Sequence, residues 1–400
     1  MSPLLTRQYR SNGHIGDIVV PGQPAYRDAH AWPFAADYIF NLGIGSNAVF
    51  EGLTGRTANL VNSGYSPNIN ANNSGGIWAV QYGIATASDP LVSLTVTQRT
   101  ASGSVDNGNG TYTYNNLFRV PASFSPTGAG DGWCTVLQAD GTLYDAYKLT
   151  RNGANTMSAL YFYTSDVKGT PYQGGTRASN IPLLAGTITT YDWARWLAGG
   201  HIGHALGFAT HQDIMRKNPV DLASTYSTNG ITIPSDPVNG DGKLMAAADY
   251  SKNRWGYVWP AHGADSSTVY GDPTVGGVNV GIAMGSWWGI PPSVDIGSLG
   301  LTPAGLELAY TLQNYGMFVS AVGSGAILYA TPEVEILYGA GLAAMRGDWA
   351  NLFPRVRRLL RTNNPPSVTW NAPVPSGSEG AYILGGGTRS VSTPPFTSGI

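Results

Sequence analysis

Cysteine is almost absent from this 400-residue chain. The lone thiol, Cys134, excludes an intrachain disulfide and a Cys/His zinc cage, and its apolar neighbours suit a buried, inert thiol. Charge is scarce as well: 12% of residues are Asp, Glu, Lys or Arg, against about 25% in an ordinary soluble domain. Lys and Arg number 22 and Asp and Glu 24, a net charge of −2. No broad positive field is therefore offered to nucleic-acid phosphate. No apolar run reaches the ~18 residues a membrane span requires. The first twenty residues lack the basic-then-apolar order of a secretory leader.

What is plentiful sets the class. Gly (53), Tyr (22) and Trp (11) abound, and aromatic residues at 11% argue against disorder. A surface of Gly, Ser, Thr, Asn and Tyr suits work outside a cell, yet no leader is read. A component of a virus particle, made in the cytoplasm and released by lysis, satisfies both observations. The expected partners are other virion proteins or copies of the chain, with host-surface glycan as a candidate ligand. No nucleic acid, membrane span, metal or other cofactor is expected.

Four regions are read along the chain. Residues 1–90 are loop-rich, with turns such as Asn62-Ser63-Gly64, and are expected to pack on the body. Residues 91–331 carry short strands between turn signals, which predicts a β-sandwich of jelly-roll type. Val92, Leu94 and Val96 alternate with Ser93, Thr95 and Thr97, a half-buried strand. Asp106 to Gly110 reads as a hairpin turn, and Ala139-Asp140-Gly141 as another between Trp133–Gln138 and Thr142–Leu149. Gly323-Ser324-Gly325 predicts a third hairpin, with arms Met317–Val322 and Ala326–Ala330. Trp287 and Trp288 alternate in an extended chain, so at most one is expected in the core. A helix is expected over Thr190–Leu197, and another after Thr302-Pro303, an N-cap followed by proline, ending near Gly316. Residues 332–362 form a helical segment, read as two helices, Pro332–Arg346 and Asp348–Arg361. Residues 363–400 are a Pro/Gly/Ser-rich extended tail.

Three of the six histidines fall between Gly200 and His211. Gly200, Gly203 and Gly207 would each cost a helix about 1 kcal/mol relative to Ala, so the segment reads as a strand. His201 and His204 then point to opposite faces, which scatters the rings and disfavours a metal site. His204 shares a face with Ile202, Leu206 and Phe208; a hydrogen-bonded core histidine is the first reading and a pocket acid or base the second. The opposite face is nearly all small and suits a close-packed partner sheet. Trp255, Tyr257 and Trp259 line one face of a strand predicted over Ser251–Trp259. Their flat rings suit sugar faces, so they are candidate ligand-binding residues, with core packing as the alternative. Glycan acid–base chemistry needs two carboxyls across a cleft. Glu is scarce, so Asp131, Asp140 and Asp145 are the nearest candidates, with Asp140 explained by its turn.

Several motifs recur in one order. Asn47-Ala48-Val49-Phe50, Gly130-Asp131-Gly132-Trp133, Asn180 to Gly186 and Gly200 to Leu206 are followed by Val258-Trp259-Pro260-Ala261, Leu301 to Gly305 and Tyr315-Gly316. Over roughly residues 40–335 the chain resembles a poorly characterised β-rich family of secreted bacterial proteins and phage structural or tail-associated proteins. The resemblance implies a cell-surface or virion setting and no particular chemistry. The functional expectation is a phage virion structural protein of the tail, with a capsid decoration protein as a close variant. The alternative is a glycan hydrolase or lyase acting on envelope polysaccharide, with His204, Trp259, His262 and Asp131 around its pocket.

Overall fold

Alternating apolar and polar side chains build most of this fold. The structure, a computed structural model, describes residues 28–35, 38–44, 48–71, 78–97, 104–107, 111–169, 171, 175–216, 226–228, 231–233, 260–261, 264–265, 270–275 and 278–361. It is mostly β, with three sheets of four strands or more and, among the described residues, four helices. These are α1 (Gly55–Val61), α2 (Thr190–Leu197), α3 (Pro303–Asn314) and α4 (Pro332–Leu352).

The five-stranded sheet has the order Ser104–Asp106, Tyr112–Arg119, Leu91–Val96, Thr156–Ala159, Thr150–Gly153. Val92, Leu94 and Val96 are buried as their alternation requires. The four-stranded sheet has the order Tyr161–Asp166, Thr142–Tyr147, Cys134–Leu137, Gln81–Ile84, and contains the hairpin expected around Asp140. Inner residues of the two sheets share one core: Val92, Leu94, Val96, Phe118 and Met157 meet Cys134, Ala146 and Phe162. Burial pushes the Cys134 thiol well up, as the apolar setting predicts.

The seven-stranded sheet has the order Val49–Phe50, Arg357–Arg361, Trp287–Gly289, Met317–Val322, Leu206–Thr210, Ala326–Tyr329, Pro67–Asn70. Its two faces serve different layers. Leu206, Phe208 and Leu328 join the core that holds Leu308 and Leu312 of α3 and Leu342, Met345 and Trp349 of α4. Ala209, Ala321, Ile327 and Tyr329 pack instead with Trp133 and Leu183, on the side of the four-stranded sheet.

Both late helices start where capping chemistry places them. Thr302 accepts from the Gly305 N–H, with proline following at the first helical position. Gly316 ends the α3 turn at φ +72°, where a side chain would be strained and a Cβ would sit 2.3 Å from the Trp288 carbonyl oxygen. α2 spans the residues expected of it and opens with a capping box between Thr189 and Asp192.

Several expectations are corrected. Parallel pairs occur in all three sheets, so the strand pairing differs from an all-antiparallel jelly roll. Met317–Val322 and Ala326–Tyr329 are strands around the expected turn, but Leu206–Thr210 lies between them, parallel to one and antiparallel to the other. Asp348–Arg361 is not a helix throughout. α4 runs on through Gly347 and bends instead at Tyr338 (φ −132°, ψ 26°). Pro354 then lacks the N–H that a continuing helix needs, and Arg357–Arg361 becomes a strand. Trp287 and Trp288 are both fully buried, because layers cover both faces of their strand. The large sheet draws strands from residues 49 to 361, across the regional boundaries read from composition. The tail 363–400 lies outside the described residues. No helix among the described residues is long and apolar enough to cross a membrane.

Candidate functional site

The histidine segment forms a strand only over Leu206–Thr210; His201 to Ala205 are irregular. His201 Nδ1 lies 2.7 Å from Glu307 Oε2, while the Ile202 N–H donates to Oε1 at 2.7 Å. The His201 ring stacks on Tyr310 at 3.9 Å. His204 turns to another carboxyl: Nδ1 faces the Ala205 carbonyl at 2.9 Å and Nε2 faces Asp192 Oδ2 at 3.3 Å. Both ring nitrogens thus face oxygen atoms. Asp192 also accepts from the Thr189 N–H and hydroxyl, each at 2.9 Å, and from Arg195 Nη2 at 2.8 Å. Arg195 Nε donates to the His201 carbonyl at 2.7 Å, and its guanidinium lies 4.3 Å above Trp32. Burial opposes the Asp192 charge, but His204, Arg195 and the Thr189 backbone together hold its carboxyl below the usual range. This is a saturated brace tying α2 and α3 to the segment that enters the central strand. His211 stacks on Tyr65 at 4.3 Å, away from both. Among the described residues no three His, Cys, Asp or Glu are gathered as a metal site.

Asp131 stands in different surroundings. It sits in the turn Gly128-Ala129-Gly130-Asp131-Gly132, whose three glycines have φ of +69°, +61° and +53°. A Cβ on Gly132 would lie 2.9 Å from Gly128 Cα and 3.0 Å from Lys148 Cα, so only glycine lets the turn close on Lys148. The Lys148 N–H donates to the Asp131 carbonyl at 3.2 Å and the Leu149 N–H to that of Gly132 at 3.3 Å. This places the Asp131 carboxyl near the Tyr147 phenol, whose own ionisation the Asp131 charge opposes. A second carboxyl, Asp265, joins from far along the chain. Its backbone N–H donates to the Tyr270 hydroxyl at 3.0 Å, and that hydroxyl donates to Asp265 Oδ2 at 3.3 Å. Burial pushes Asp131 up to about 6, with the Asp265 charge adding and Lys148 opposing. Burial also raises Asp265, against the Tyr270 hydrogen bond.

Behind the two acids lies Tyr329, 2% exposed. Burial raises its phenol further than Arg177 can lower it, and the charges of Asp131 and Asp265 add to the rise. Its ring meets Trp133 edge-on at 5.7 Å and is covered by the Arg177 guanidinium at 4.6 Å. Arg177 donates to the Ala185 carbonyl at 3.3 Å and to Thr187 Oγ1 at 3.2 Å, while its Nε is unpartnered. The small face of the central strand makes room for this guanidinium: a Cβ on Gly207 would meet Nη1 at 3.2 Å. Nearby, Asp145 accepts the Leu183 N–H at 2.6 Å through Oδ2, and Oδ1 has no partner. Burial pushes this carboxyl up to about 7.

Of the expected site residues, Asp131 and His204 are described, and the structure gives them separate partners. Trp255, Tyr257, Trp259 and His262 lie outside the described residues. Asp140 is exposed and accepts the Thr142 N–H at 2.9 Å, as its turn predicts. Asp265, Tyr270, Tyr329 and Arg177 were not read from the sequence; no local motif marks them, and only the packing of distant segments brings them to Asp131. No family model, curated protein or solved structure matches this chain.

Proposed function

We propose that this chain is a structural protein of a phage particle, tail-associated, whose small sheets pack as a sandwich and whose Asp131 cluster contacts a host-surface glycan. One observation supports the glycan contact above the rest. Asp131 and Asp265 are grouped with the rings of Tyr147, Tyr270 and Tyr329. Sugar hydroxyls bond well to carboxylates, and sugar C–H faces lie well against aromatic rings. The low charge, the Gly/Asn/Tyr-rich composition and the family resemblance favour the particle setting. In this reading the partners are other virion proteins or further copies.

Two measurements test the two halves. Immunogold labelling of purified particles is expected to mark the tail; label on the head would replace the reading by a capsid decoration protein, and absence from particles would end it. Purified protein on arrays of bacterial capsular and O-chain polysaccharides is expected to retain one class, and Tyr147→Ala to weaken that binding at least tenfold. Binding that survives this change intact removes the Asp131 cluster as the contact.

A further inference from the structure

We propose that the outer face of α4 is the contact between two copies of this chain, packed antiparallel about a two-fold axis near Ala343. The proposal rests on the reading that further copies are partners and deepens it by naming the surface they use. The inner face of α4 is already filled: Val334, Leu342, Met345, Trp349 and Leu352 are buried in the chain's own core. An ordinary surface helix turns charged and polar groups to its other side, whereas a helix apolar all round belongs in an interior. α4 is of the second kind. Its exposed positions between Glu333 and Asn351 are Ile336, Leu337, Ala340, Ala343, Gly347 and Ala350, with no charge among them. Ile336 and Leu337 are each 64% exposed. Leu197, at the end of α2, is another exposed apolar side chain, and α2 is held to α4 by Trp193, whose ring stacks on Tyr338 at 5.5 Å.

Charge, shape and glycine placement fit a second α4 to this face. Glu333 stands at the N-terminal end of the exposed stripe, and Arg355 lies just past its C-terminal end, where Nη1 donates to the Asn351 carbonyl. Antiparallel packing sets Glu333 of each copy beside the partner's Arg355 and opposes the two helix dipoles. Parallel packing would set Glu333 against Glu333. The bulky pair Ile336 and Leu337 precedes the bend at Tyr338, and the far end of the stripe is small. With the axis at Ala343, Ile336 faces the partner's Ala350 and Ala340 faces the partner's Gly347, so each bulky end meets a small one, as a self-complementary patch requires. A Cβ on Gly339 or Gly347 would meet nothing within 4 Å, so the packing of one copy does not call for glycine at either place. Each nonetheless destabilises the helix by about 1 kcal/mol relative to Ala. A second helix axis at about 8–10 Å accounts for them. From Ile336 to Ala350 the stripe is about 21 Å long. A contact of that length is at the small end of specific interfaces, so the dimer forms at micromolar concentrations.

Sedimentation velocity of the full chain, run from about 1 to about 200 μM, should show a reversible monomer–dimer equilibrium. Ala343→Glu puts two like charges on the axis and should weaken dimerisation at least tenfold, while its exposed position leaves the fold intact. Ala350→Glu, set against the partner's Ile336, is a second variant with the same expected result. Gly347→Leu should weaken the dimer yet raise the melting temperature of the monomer, because a better helix former enters open space. A glycine that serves only its own chain would not part these two readouts. Glu333→Arg and Arg355→Glu should each weaken the dimer, and the two together should restore it. A monomer at every concentration overturns the proposal; gold label on the tail in that case leaves the particle reading standing. A dimer indifferent to both glutamate variants overturns the choice of surface. Single charge variants that weaken the dimer without rescue in the double variant overturn the antiparallel register.

Discussion

The brace around Asp192 and the cluster around Asp131 are both polar, both partly built by tyrosine or histidine, and differ in completeness. At Asp192 the carboxylate has donors from Thr189, Arg195 and His204, and His201 with Glu307 closes the next link. Around Asp131 the arrangement is unfinished: Arg177 Nε, Trp133 Nε1 and Asp145 Oδ1 are buried without hydrogen-bond partners. A saturated buried network fixes a structure and has little to offer a ligand. An unsaturated one has paid-up geometry and spare bonding capacity. The contrast separates two carboxylates of the same type into a structural one and a candidate chemical one.

The largest effect should come from breaking the complete network. Asp192→Ala leaves Arg195 and His204 without their carboxylate and α2 without its capping box, and should cost about 3–5 kcal/mol in denaturant unfolding. Because the folded Asp192 carboxyl is held low, its contribution is present above the ordinary carboxylate range and fades as pH falls through the folded value. A variant as stable as the parent at pH 7 would dissolve the distinction drawn above.

The next effect has the opposite sign. Asp145 is moved from 3.8 to about 7 by burial, so ionising it costs the folded state up to ~4 kcal/mol. Its favourable contribution is complete below pH 4 and is lost as pH rises through about 7. Asp145→Asn should therefore match the parent below pH 4, exceed it modestly at pH 5 and most at pH 8, seen as a flatter curve of melting temperature against pH. Parallel curves would show that the carboxyl is not strained by its site.

Smaller effects sharpen the picture at the turn. Gly132→Ala forces a side chain into φ +53° and against Lys148, and should cost about 1–3 kcal/mol while weakening glycan binding. Asp131→Asn should raise stability at pH 7 by up to ~3 kcal/mol, less for its partial exposure, because burial moves the carboxyl from 3.8 to about 6 and the amide brings no charge to bury. A loss comparable to that of Asp192→Ala would make Asp131 a brace too.

Local patterns were readable from residue order alone. The Val92 alternation, the Asp140 hairpin, α2 and the capped start of α3 all depend on neighbours within a few positions. The seating of Leu206–Thr210 between two later strands was not, since pairing across such distances leaves no periodic mark. Trp287 and Trp288 misled for the same reason: alternation says that two faces exist, and only the layers decide whether both are covered. The site divides likewise. Asp131 stood out because a glycine-flanked acid before a strand is a local signal. Asp265 and Tyr329 carry none, and Arg177 is a single cation in an ordinary loop until the small face of the central strand receives it.

The place of Leu206–Thr210 has a consequence for biosynthesis. Both of its neighbours, Met317–Val322 and Ala326–Tyr329, leave the ribosome long after it does. The hairpins between residues 81 and 166 can close in order of emergence, but the central sheet must wait for nearly the whole chain. Nascent chains halted before residue 317 should thus carry a finished small module and an apolar strand with nothing beside it, the state in which chaperones would find this protein.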